Sequence, residues 1–258
     1  MKYCKLIFIA LSIALLALSP ALSQIELNEQ DEEMDFREVP LSENARIEFE
    51  HTTFDFGSIT KGASVAHSYW FTNTGTDTLV ITKIIPTCGC TSTKKGGIIA
   101  APGEKASIDI IFNSGKFNGR VTKVIKLETN DKLNPYMDIR FKSNINNPKL
   151  VFDYVPYEAD FKTVPVGKTS KFKVNITNND DTESNISLID QPSASFIKSQ
   201  LSETTIEPGK TATLELELLK GIEPGEYISS ITLEDTNKKN SRFSIPIALI
   251  VGEKTASR

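Results

Sequence analysis

Cys88 and Cys90 are the side chains whose type and spacing point most directly to chemistry. They follow the apolar run 79–85 and Pro86, which places them where a predicted strand ends and a loop begins. If the strand stayed extended, the two Cα atoms would lie ~6.6 Å apart, from two rises of ~3.3 Å. That separation is at the upper edge of disulfide geometry. A kink at Gly89, which can adopt positive φ, would shorten it.

Three interpretations of the pair follow from this spacing. In the first, Cys88 and Cys90 are structural, either as a local disulfide in an oxidising compartment or as partly buried thiols. In the second they bind Cu(I) or zinc as thiolates, although two thiolates are an incomplete zinc site and His67 could approach only through the fold. In the third they are a redox pair, although the usual redox signature has two intervening residues and opens a helix. A disulfide over so short a span removes little entropy from the unfolded chain, and a strained, accessible one is readily reduced.

His67 and Trp70 are the other candidate site residues, and both lie in one predicted strand. His67 is in phase with Val65, Tyr69 and Phe71, which indicates a hydrogen-bonded residue at the margin of a sheet face rather than a general base or ligand. Trp70 is the single tryptophan and is out of phase with them. It is either an exposed anchor for a protein or carbohydrate partner or, the more ordinary outcome, packed on the opposite sheet or under a loop. If Trp70 marks the core face, His67 faces outward, so the two assignments as partner contacts depend on each other.

Motifs of catalysis are absent from the sequence. It contains no nucleophile elbow, no phosphate-binding glycine loop, no His-Glu-x-x-His and no EF-hand loop. Only two histidines, His51 and His67, are present, and His51 is expected at a strand end. We therefore predict no catalytic residues, no cofactor and no enzymatic activity.

The elements that position these residues come in two copies. Four segments of the first half align in the same order with four segments of the second half, at offsets of 105 or 106 residues. The pairs are 53–62 with 158–167, 69–75 with 174–180, 101–109 with 207–215, and 127–131 with 233–237. Two copies of one fold follow, joined near Asn146-Asn147-Pro148.

Each copy is predicted to be β-structure. In residues 171–177, Phe172, Val174 and Ile176 point to one face and polar residues to the other, the period of a half-buried strand. Turn signals such as Pro102-Gly103 separate the alternating runs. About seven short strands in ~100 residues fit an immunoglobulin-like sandwich. The predicted fold is all-β, with two tandem immunoglobulin-like antiparallel β-sandwich domains.

A family resemblance is specific in the first copy. Its motifs are Phe54-Asp-Phe-Gly-Ser-Ile, then His67-Ser-Tyr-Trp-Phe-Thr-Asn-Thr-Gly, then Cys88-Gly-Cys-Thr, then Ala101-Pro-Gly-Glu. Over roughly residues 50–146 the chain closely resembles the secreted bacterial domain-of-unknown-function family 1573, which is related to the ASPM–SPD-2–hydin group of immunoglobulin-like domains. The second copy looks like a diverged sibling that lacks Cys-Gly-Cys. The resemblance implies an exported β-sandwich of a bacterial envelope and supplies no substrate.

The first 23 residues have the signature of a secretory signal peptide: Lys2 and Lys5, the apolar run 6–18, and small residues at the positions before the cleavage point. The run is too short for a permanent span, because a bilayer core of ~30 Å needs ~20 apolar residues. No later segment is apolar enough to span. We therefore predict no membrane span after signal cleavage.

Charge is unevenly distributed along the rest of the chain. Residues 24–45 carry eight acids and one base, a net charge of −7, which leaves +1 for residues 46–258. The acidic segment is predicted to be a flexible, solvated leader rather than a docking tail. The nearly neutral body gives no electrostatic reason to expect nucleic acid as a partner. We place the two domains at 46–146 and 147–252, followed by a tail at 253–258.

These features together predict an exported, non-catalytic binding or scaffolding protein of a bacterial cell envelope. It would act through its sandwich surfaces on envelope protein partners, in the periplasm or on the outer surface of a Gram-negative cell. The alternative function is soft-metal binding, of copper or zinc, or thiol–disulfide redox chemistry at Cys88 and Cys90.

Overall fold

The structure is a computed structural model that describes residues 39–93, 96–192, 196–239 and 241–252. The predicted signal peptide, residues 24–38 of the predicted leader and the predicted tail lie outside the described residues. The strands of the first domain are β1 (Ile47–Phe49), β2 (Thr53–Ile59), β3 (Ser64–Asn73), β4 (Leu79–Pro86), β5 (Thr91–Thr93), β6 (Ile98–Ala100), β7 (Lys105–Asn113), β8 (Gly119–Thr129) and β9 (Tyr136–Ile145). Those of the second domain are β10 (Phe152–Val155), β11 (Ala159–Val164), β12 (Ser170–Asn178), β13 (Ser184–Asp190), β14 (Ile197–Leu201), β15 (Thr205–Ile206), β16 (Thr211–Leu218), β17 (Gly225–Asp235) and β18 (Phe243–Val251). In the part of the chain that the structure describes, no helix is long and apolar enough to cross a membrane.

Each domain is a sandwich of two sheets with the same strand order. The first domain pairs a sheet β1-β3-β7-β5 with a sheet β2-β9-β8-β4-β6, and the second pairs β10-β12-β16-β14 with β11-β18-β17-β13-β15. In both domains one parallel pair, β2 with β9 and β11 with β18, accompanies otherwise antiparallel neighbours. The predicted all-β, tandem immunoglobulin-like architecture is confirmed. Each domain has nine described strands rather than about seven, because β5, β6 and β15 are too short for their alternation to be visible in the sequence.

Alternation along the strands builds a separate core for each domain. In β16, Leu214, Leu216 and Leu218 are buried while Glu215 and Glu217 face outward. Burial of each such side chain contributes roughly 1.5–3 kcal/mol. The buried apolar residues form two clusters, one drawn from residues 45–145 and the other from residues 152–251. Each sandwich therefore has its own hydrophobic interior.

The first domain begins earlier than the charge pattern predicted. The backbone N–H of Ser42 donates to the carbonyl of Asn130 at 2.7 Å, and Lys132 donates back to the carbonyl of Ser42 at 3.1 Å. Ala45 is completely buried in the first core. The predicted leader boundary at residue 45 is therefore too late, because residues 42–45 pair with the folded domain despite their acidic neighbours.

A buried asparagine occupies the same place in both domains. The side-chain amide of Asn73 donates to the carbonyls of Asp77, at 2.8 Å, and Ala100, at 2.9 Å. Asn178, 105 residues later, donates to two carbonyls of its own domain at the same two distances. Both asparagines are fully buried. The aligned Thr-Asn motifs of the two copies therefore encode one structural role, a side chain that donates to two backbone carbonyls.

The larger sheets of the two domains join into one sheet of ten strands. The connection is a parallel contact between β18 and β2, where Phe243 is opposite Ser58. The backbone N–H of Ser58 donates to the carbonyl of Arg242 at 2.7 Å. The two sandwiches therefore share a hydrogen-bonded sheet at their junction.

Candidate functional site

The Cys-Gly-Cys segment carries the chain from one sheet of the first domain to the other. β4 ends at Pro86 in the larger sheet and β5 begins at Thr91 in the smaller one. At the start of this turn, the N–H and hydroxyl of Thr87 both donate to the carbonyl of Val124, at 3.1 and 2.8 Å. At its end, the N–H of Asn113 donates to the carbonyl of Cys90 at 2.9 Å. Both ends of the turn are thus fixed to a neighbouring strand.

Cys88 and Cys90 form a disulfide in the structure, with their Cα atoms 5.2 Å apart. That separation lies within the ordinary range for disulfides, ~4.4–6.8 Å. The expected kink with positive φ at Gly89 is not present, and a Cβ on Gly89 would meet no atom within 4 Å. An ordinary turn brings the cysteines together without a glycine-specific conformation.

The surroundings of the disulfide are half-buried and weakly polar. The hydroxyl of Thr91 lies 3.7 Å from the Sγ of Cys88 and 3.8 Å from that of Cys90, and Cys90 packs against the first core. In a disulfide neither sulfur is a thiolate, so metal binding at this pair would require reduction first, whereas an external thiolate can attack the disulfide directly. Among the described residues, no group of three or more His, Cys, Asp and Glu side chains is arranged to hold a metal ion.

His67 lies at the junction of the two domains. Its Nδ1 is 2.7 Å from Oδ2 of Asp190 in β13, and its ring stacks on Phe54 with centroids 3.7 Å apart. The edge of Tyr69 lies against it, with centroids 4.7 Å apart. Burial raises the pKa of the Tyr69 phenol, and the nearby Asp190 carboxylate raises it further. His67 is the hydrogen-bonded residue that its phase predicted, but it contacts the second domain and is too enclosed to serve as a contact for an external partner.

Serine hydroxyls of the second domain form hydrogen bonds with backbone groups of the first domain at the junction. The Oγ of Ser230 in β17 accepts the N–H of Ala66 at 3.1 Å and donates to the carbonyl of Ala66 at 2.8 Å. Since β1 pairs only with residues 71–73 of β3, this serine satisfies a stretch of β3 that β1 does not cover. The Oγ of Ser244 donates to the carbonyl of Phe56 at 2.7 Å. The second domain therefore covers an open strand edge of the first, and such edges otherwise invite pairing with other chains.

A bulge in β2 allows this close approach. Gly57 has φ +66°, and its N–H donates to the side chain of Asp55 at 2.8 Å. At the same place in β11, Lys162 has φ +57° and donates to Asp160 at 2.9 Å. A residue other than glycine can therefore adopt this backbone conformation. At Gly57, however, a Cβ would overlap the carbonyl of Arg242, so the junction itself demands glycine there.

Trp70 faces solvent on the outer face of the smaller sheet of the first domain. Its side chain is 43% exposed, and the Nζ of Lys105 lies 4.9 Å from the ring centroid. The expectation that Trp70 packs beneath the opposite sheet or a loop is wrong, because β3 turns His67 and Tyr69 inward and Trp70 outward. Trp70 is directly opposite Ser107 in the pairing of β3 with β7.

Asp109 lies diagonally across from Trp70 on the same face. Its Oδ1 accepts hydrogen bonds from the hydroxyls of Ser68, at 2.7 Å, and Ser107, at 3.0 Å. A shallow groove runs beside it over β5 and β7, lined by Ser92, Thr93, Ile98, Ser107, Asp109 and Ile111. The exposed aromatic ring, the carboxylate held by two hydroxyls and the groove together form a candidate binding surface.

Sequence reasoning found two of the residues that matter and missed the others. The alternation of side chains along the predicted strand indicated Trp70 and His67 as candidates, but nothing indicated Asp109, Asp190 or Ser230. The repeat could have drawn attention to Asp109, because the alignment of the two copies matches it with another acidic residue, Glu215. Asp190 and Ser230 had none, since nothing in a sequence says which surface of one domain meets which surface of the next.

Comparisons with family models agree with this architecture. Residues 47–145 match the family described as a protein of unknown function, DUF1573. Residues 148–247 match the HYDIN/CFA65/VesB-like, Ig-like domain family. The resemblance predicted from the sequence motifs is confirmed. No sequence match to a curated protein was found.

Several solved structures are similar at low identity. A protein of unknown function from Porphyromonas gingivalis W83 is 12% identical over 79% of this chain and 99% of that chain, with a TM-score of 0.34. The ASH/PapD-like domain 7 of human CEP192 is 10% identical over 42% of this chain and 89% of that chain, with a TM-score of 0.33. The tandem Ig repeats of Dlar are 11% identical over 83% of this chain and 100% of that chain, with a TM-score of 0.39.

Proposed function

Because the chain joins a DUF1573 domain to a HYDIN/CFA65/VesB-like immunoglobulin-like domain, we propose that it is an exported, non-catalytic scaffolding protein of the bacterial cell envelope. Its location is the periplasm or the outer cell surface of a Gram-negative bacterium. Its partners are envelope proteins that bind to the outer faces of the two sandwiches. The signal-peptide character of residues 1–23 supports the export step.

The observation that carries this proposal is the hydrogen-bonded junction between the domains. A shared sheet, the His67–Asp190 contact and the two hydrogen bonds of Ser230 hold the sandwiches against each other. A fixed junction holds the binding surfaces of the two domains at a constant separation, so two partner sites can be engaged together at high effective concentration. A flexible linker would not hold the two binding surfaces at a constant separation.

The test is crosslinking of the tagged full-length chain in its native bacterium, followed by fractionation of the cell. We expect the mature chain in the envelope fraction, crosslinked to a reproducible set of envelope proteins. A matched variant with a weakened junction, Asp190→Asn/Ser230→Ala, is expected to recover fewer of those partners together. Retention of the mature chain in the cytoplasm, or crosslinking without any reproducible partner, would overturn the proposal.

A further inference from the structure

The turn that carries the disulfide has a counterpart in the second domain. In the first domain the N–H of Asn113 donates to the carbonyl of Cys90 at 2.9 Å, and in the second the N–H of Leu219 donates to the carbonyl of Phe196 at 3.1 Å. The two donors are 106 residues apart in the chain, and so are the two acceptors. Because both turns end in the same backbone hydrogen bond, the repeat shows which side chains the fold itself requires there.

The second domain ends its turn without sulfur. Phe196 stands in the place of Cys90 and packs against the second core. Ile197, the first residue of β14, stands in the place of Thr91 and is completely buried. The pairing of β5 with β7 and that of β14 with β16 have the same register, which supports this equivalence. Two apolar side chains satisfy the fold at these positions, so packing alone does not demand a cysteine and a threonine.

The fold does not require glycine between the two cysteines either. The φ of Gly89 is not positive, and a Cβ there would meet no atom within 4 Å. A larger residue would therefore fit without strain or overlap. Gly89 is exposed, so its lack of a side chain leaves open space beside the two sulfurs. The consequence of glycine at this position is access to the disulfide rather than folding of the turn.

Hydrogen bonds close the turn independently of the disulfide. The N–H and hydroxyl of Thr87 donate to the carbonyl of Val124 at its start, and the N–H of Thr91 donates to the carbonyl of Cys88 across it, at 3.4 Å. These contacts keep Cys88 and Cys90 close together whether or not their sulfurs are bonded. A crosslink over so short a loop also removes little entropy from the unfolded chain. The disulfide can therefore open and close while the fold persists.

The hydroxyl of Thr91 lies beside both sulfurs. It is 3.7 Å from the Sγ of Cys88 and 3.8 Å from that of Cys90, and Thr91 is buried. A buried hydroxyl is normally hydrogen-bonded, and it can donate to a thiolate. The position at which the second domain has an isoleucine thus carries, in the first domain, a donor that stabilises a sulfur leaving the disulfide.

We propose that Cys88 and Cys90 form an exchange-active disulfide that accepts two electrons from the dithiol of a partner protein. A thiolate of the partner attacks the Sγ of Cys88 and forms a mixed disulfide, while Cys90, which packs against the first core, leaves as a thiolate and takes up a proton. The second thiol of the partner then attacks the partner's own sulfur in the mixed disulfide and releases Cys88 as a thiol. The partner ends as a disulfide and this chain as a dithiol. This activity goes beyond the scaffolding function and does not depend on it.

The test is the rate at which reduced thioredoxin, a protein dithiol, and dithiothreitol reduce the native full-length chain. Thiols are alkylated at timed intervals, and mass spectrometry of the tryptic peptide 84–94 counts them at both cysteines without interference from Cys4. We expect both reagents to reduce the pair completely under native conditions. The β-sheet circular dichroism should not change, because hydrogen bonds hold the turn.

Variants assign the individual roles. Thr91→Val should slow the reduction about tenfold, because the leaving thiolate loses one hydrogen bond. Ser92→Ala, a change at an exposed neighbour, should leave the rate unchanged. Gly89→Val should slow thioredoxin more than dithiothreitol, because a side chain there obstructs a protein more than a small molecule. With glutathione disulfide, Cys90→Ser should form a mixed disulfide faster than Cys88→Ser.

Four outcomes would overturn the proposal. Reduction that occurs only after urea is added would show that the folded chain protects the disulfide. Loss of β-sheet circular dichroism on reduction would show that the bond holds the fold together. Equal rates for Thr91→Val and the wild type would remove the role of the hydroxyl, and faster reaction of Cys88→Ser than of Cys90→Ser would contradict attack at the Sγ of Cys88.

Discussion

Asn178 and Asn179 are adjacent residues of the same type with opposite environments. The Asn178 side chain is fully buried and donates to two backbone carbonyls, whereas Asn179 is exposed. A buried carbonyl that loses its donor keeps the full cost of leaving water, roughly 1–3 kcal/mol. The contribution of the asparagine to stability therefore depends on position rather than on residue type.

The pair gives a direct prediction. Asn178→Ala should lower the free energy of unfolding by about 2 kcal/mol, because the buried carbonyl of Ile206 and the partly buried carbonyl of Thr182 lose their donor. Asn179→Ala should change it by less than about 0.5 kcal/mol, as is usual for an exposed site. Urea unfolding followed by circular dichroism measures both. Similar losses for the two variants would show that the buried hydrogen bonds of Asn178 do not stabilise the second domain.

Asp131 is a buried carboxylate through which the stability of the first domain depends on pH. It is completely buried, and burial alone would raise the pKa of its carboxyl. Hydrogen bonds from the Asn134 amide and from the N–H groups of Ile47 and Leu133, together with the charge of Arg46, outweigh burial and lower the pKa. A pKa lowered by folding stabilises the native state above the unfolded value, about 3.9, and this stabilisation is lost as pH falls through the folded value.

We therefore expect the first domain to lose stability as pH falls below about 4. An Asp131→Asn variant should be less stable at neutral pH, because it replaces a carboxylate acceptor, but its stability should fall less steeply in acid. Urea midpoints measured across the acidic range provide the comparison. An unchanged slope in the variant would assign the acid sensitivity to other carboxylates.

At the scale of the element, the bulge in β2 places the positive φ of Gly57 at the same point as the contact with Arg242 of the second domain. Lys162 adopts the same positive φ in β11 as Gly57 does in β2, so the bulge itself does not require glycine. A Cβ at Gly57 would overlap the carbonyl of Arg242 across the junction. Gly103 is a suitable control, because its φ is +78° but a Cβ there would meet no atom within 4 Å.

Gly57→Ala should therefore separate β2 from β18, whereas Gly103→Ala should cost only the local strain of roughly 1–2 kcal/mol. Hydrogen exchange at the N–H of Ser58, which donates to Arg242, reports the separation directly. We expect its protection to fall in the Gly57 variant and to persist in the Gly103 variant. Full protection in Gly57→Ala would mean that the junction accommodates the added methyl group.

At the scale of the molecule, the junction couples two domains that each have a complete core. Their buried clusters are separate, so neither sandwich needs the other for its interior. The hydrogen bonds of Ser230 and the contact of Asp190 with His67 are instead made between domains. Loss of these groups should release the orientation of the domains without unfolding either one.

The variant Asp190→Asn/Ser230→Ala tests this. We expect it to keep the β-sheet circular dichroism of the wild type while small-angle scattering shows a larger radius of gyration, because freed domains sample extended arrangements. Glu203→Gln, a change of charge at an exposed loop, should leave the scattering curve unchanged. A double variant with the scattering of the wild type would place the stability of the junction in its apolar contacts and shared sheet.

The local pattern of the sequence was sufficient for the fold class and for the duplication. Alternation in β12 and β16 marks which residues face a core, and the offsets of 105 and 106 residues align the two copies strand by strand. These features follow from the geometry of a pleated strand and from turn residues, which act over a few neighbouring positions. The proximity of Cys88 and Cys90 also followed, since their separation is fixed by the turn that joins them.

The tertiary structure alone decided which faces are covered. Periodicity put His67 and Trp70 on opposite sides of β3, but only packing determined that Trp70 meets solvent and that His67 meets Asp190, 123 positions away in the chain. Likewise, the repeat alignment pairs Asp109 with Glu215, while the structure shows that Glu215 forms ion pairs with Lys171 and Lys173 and that Asp109 accepts from Ser68 and Ser107. A sequence specifies two faces for every strand; which of them is buried depends on the surfaces that long-range folding brings against it.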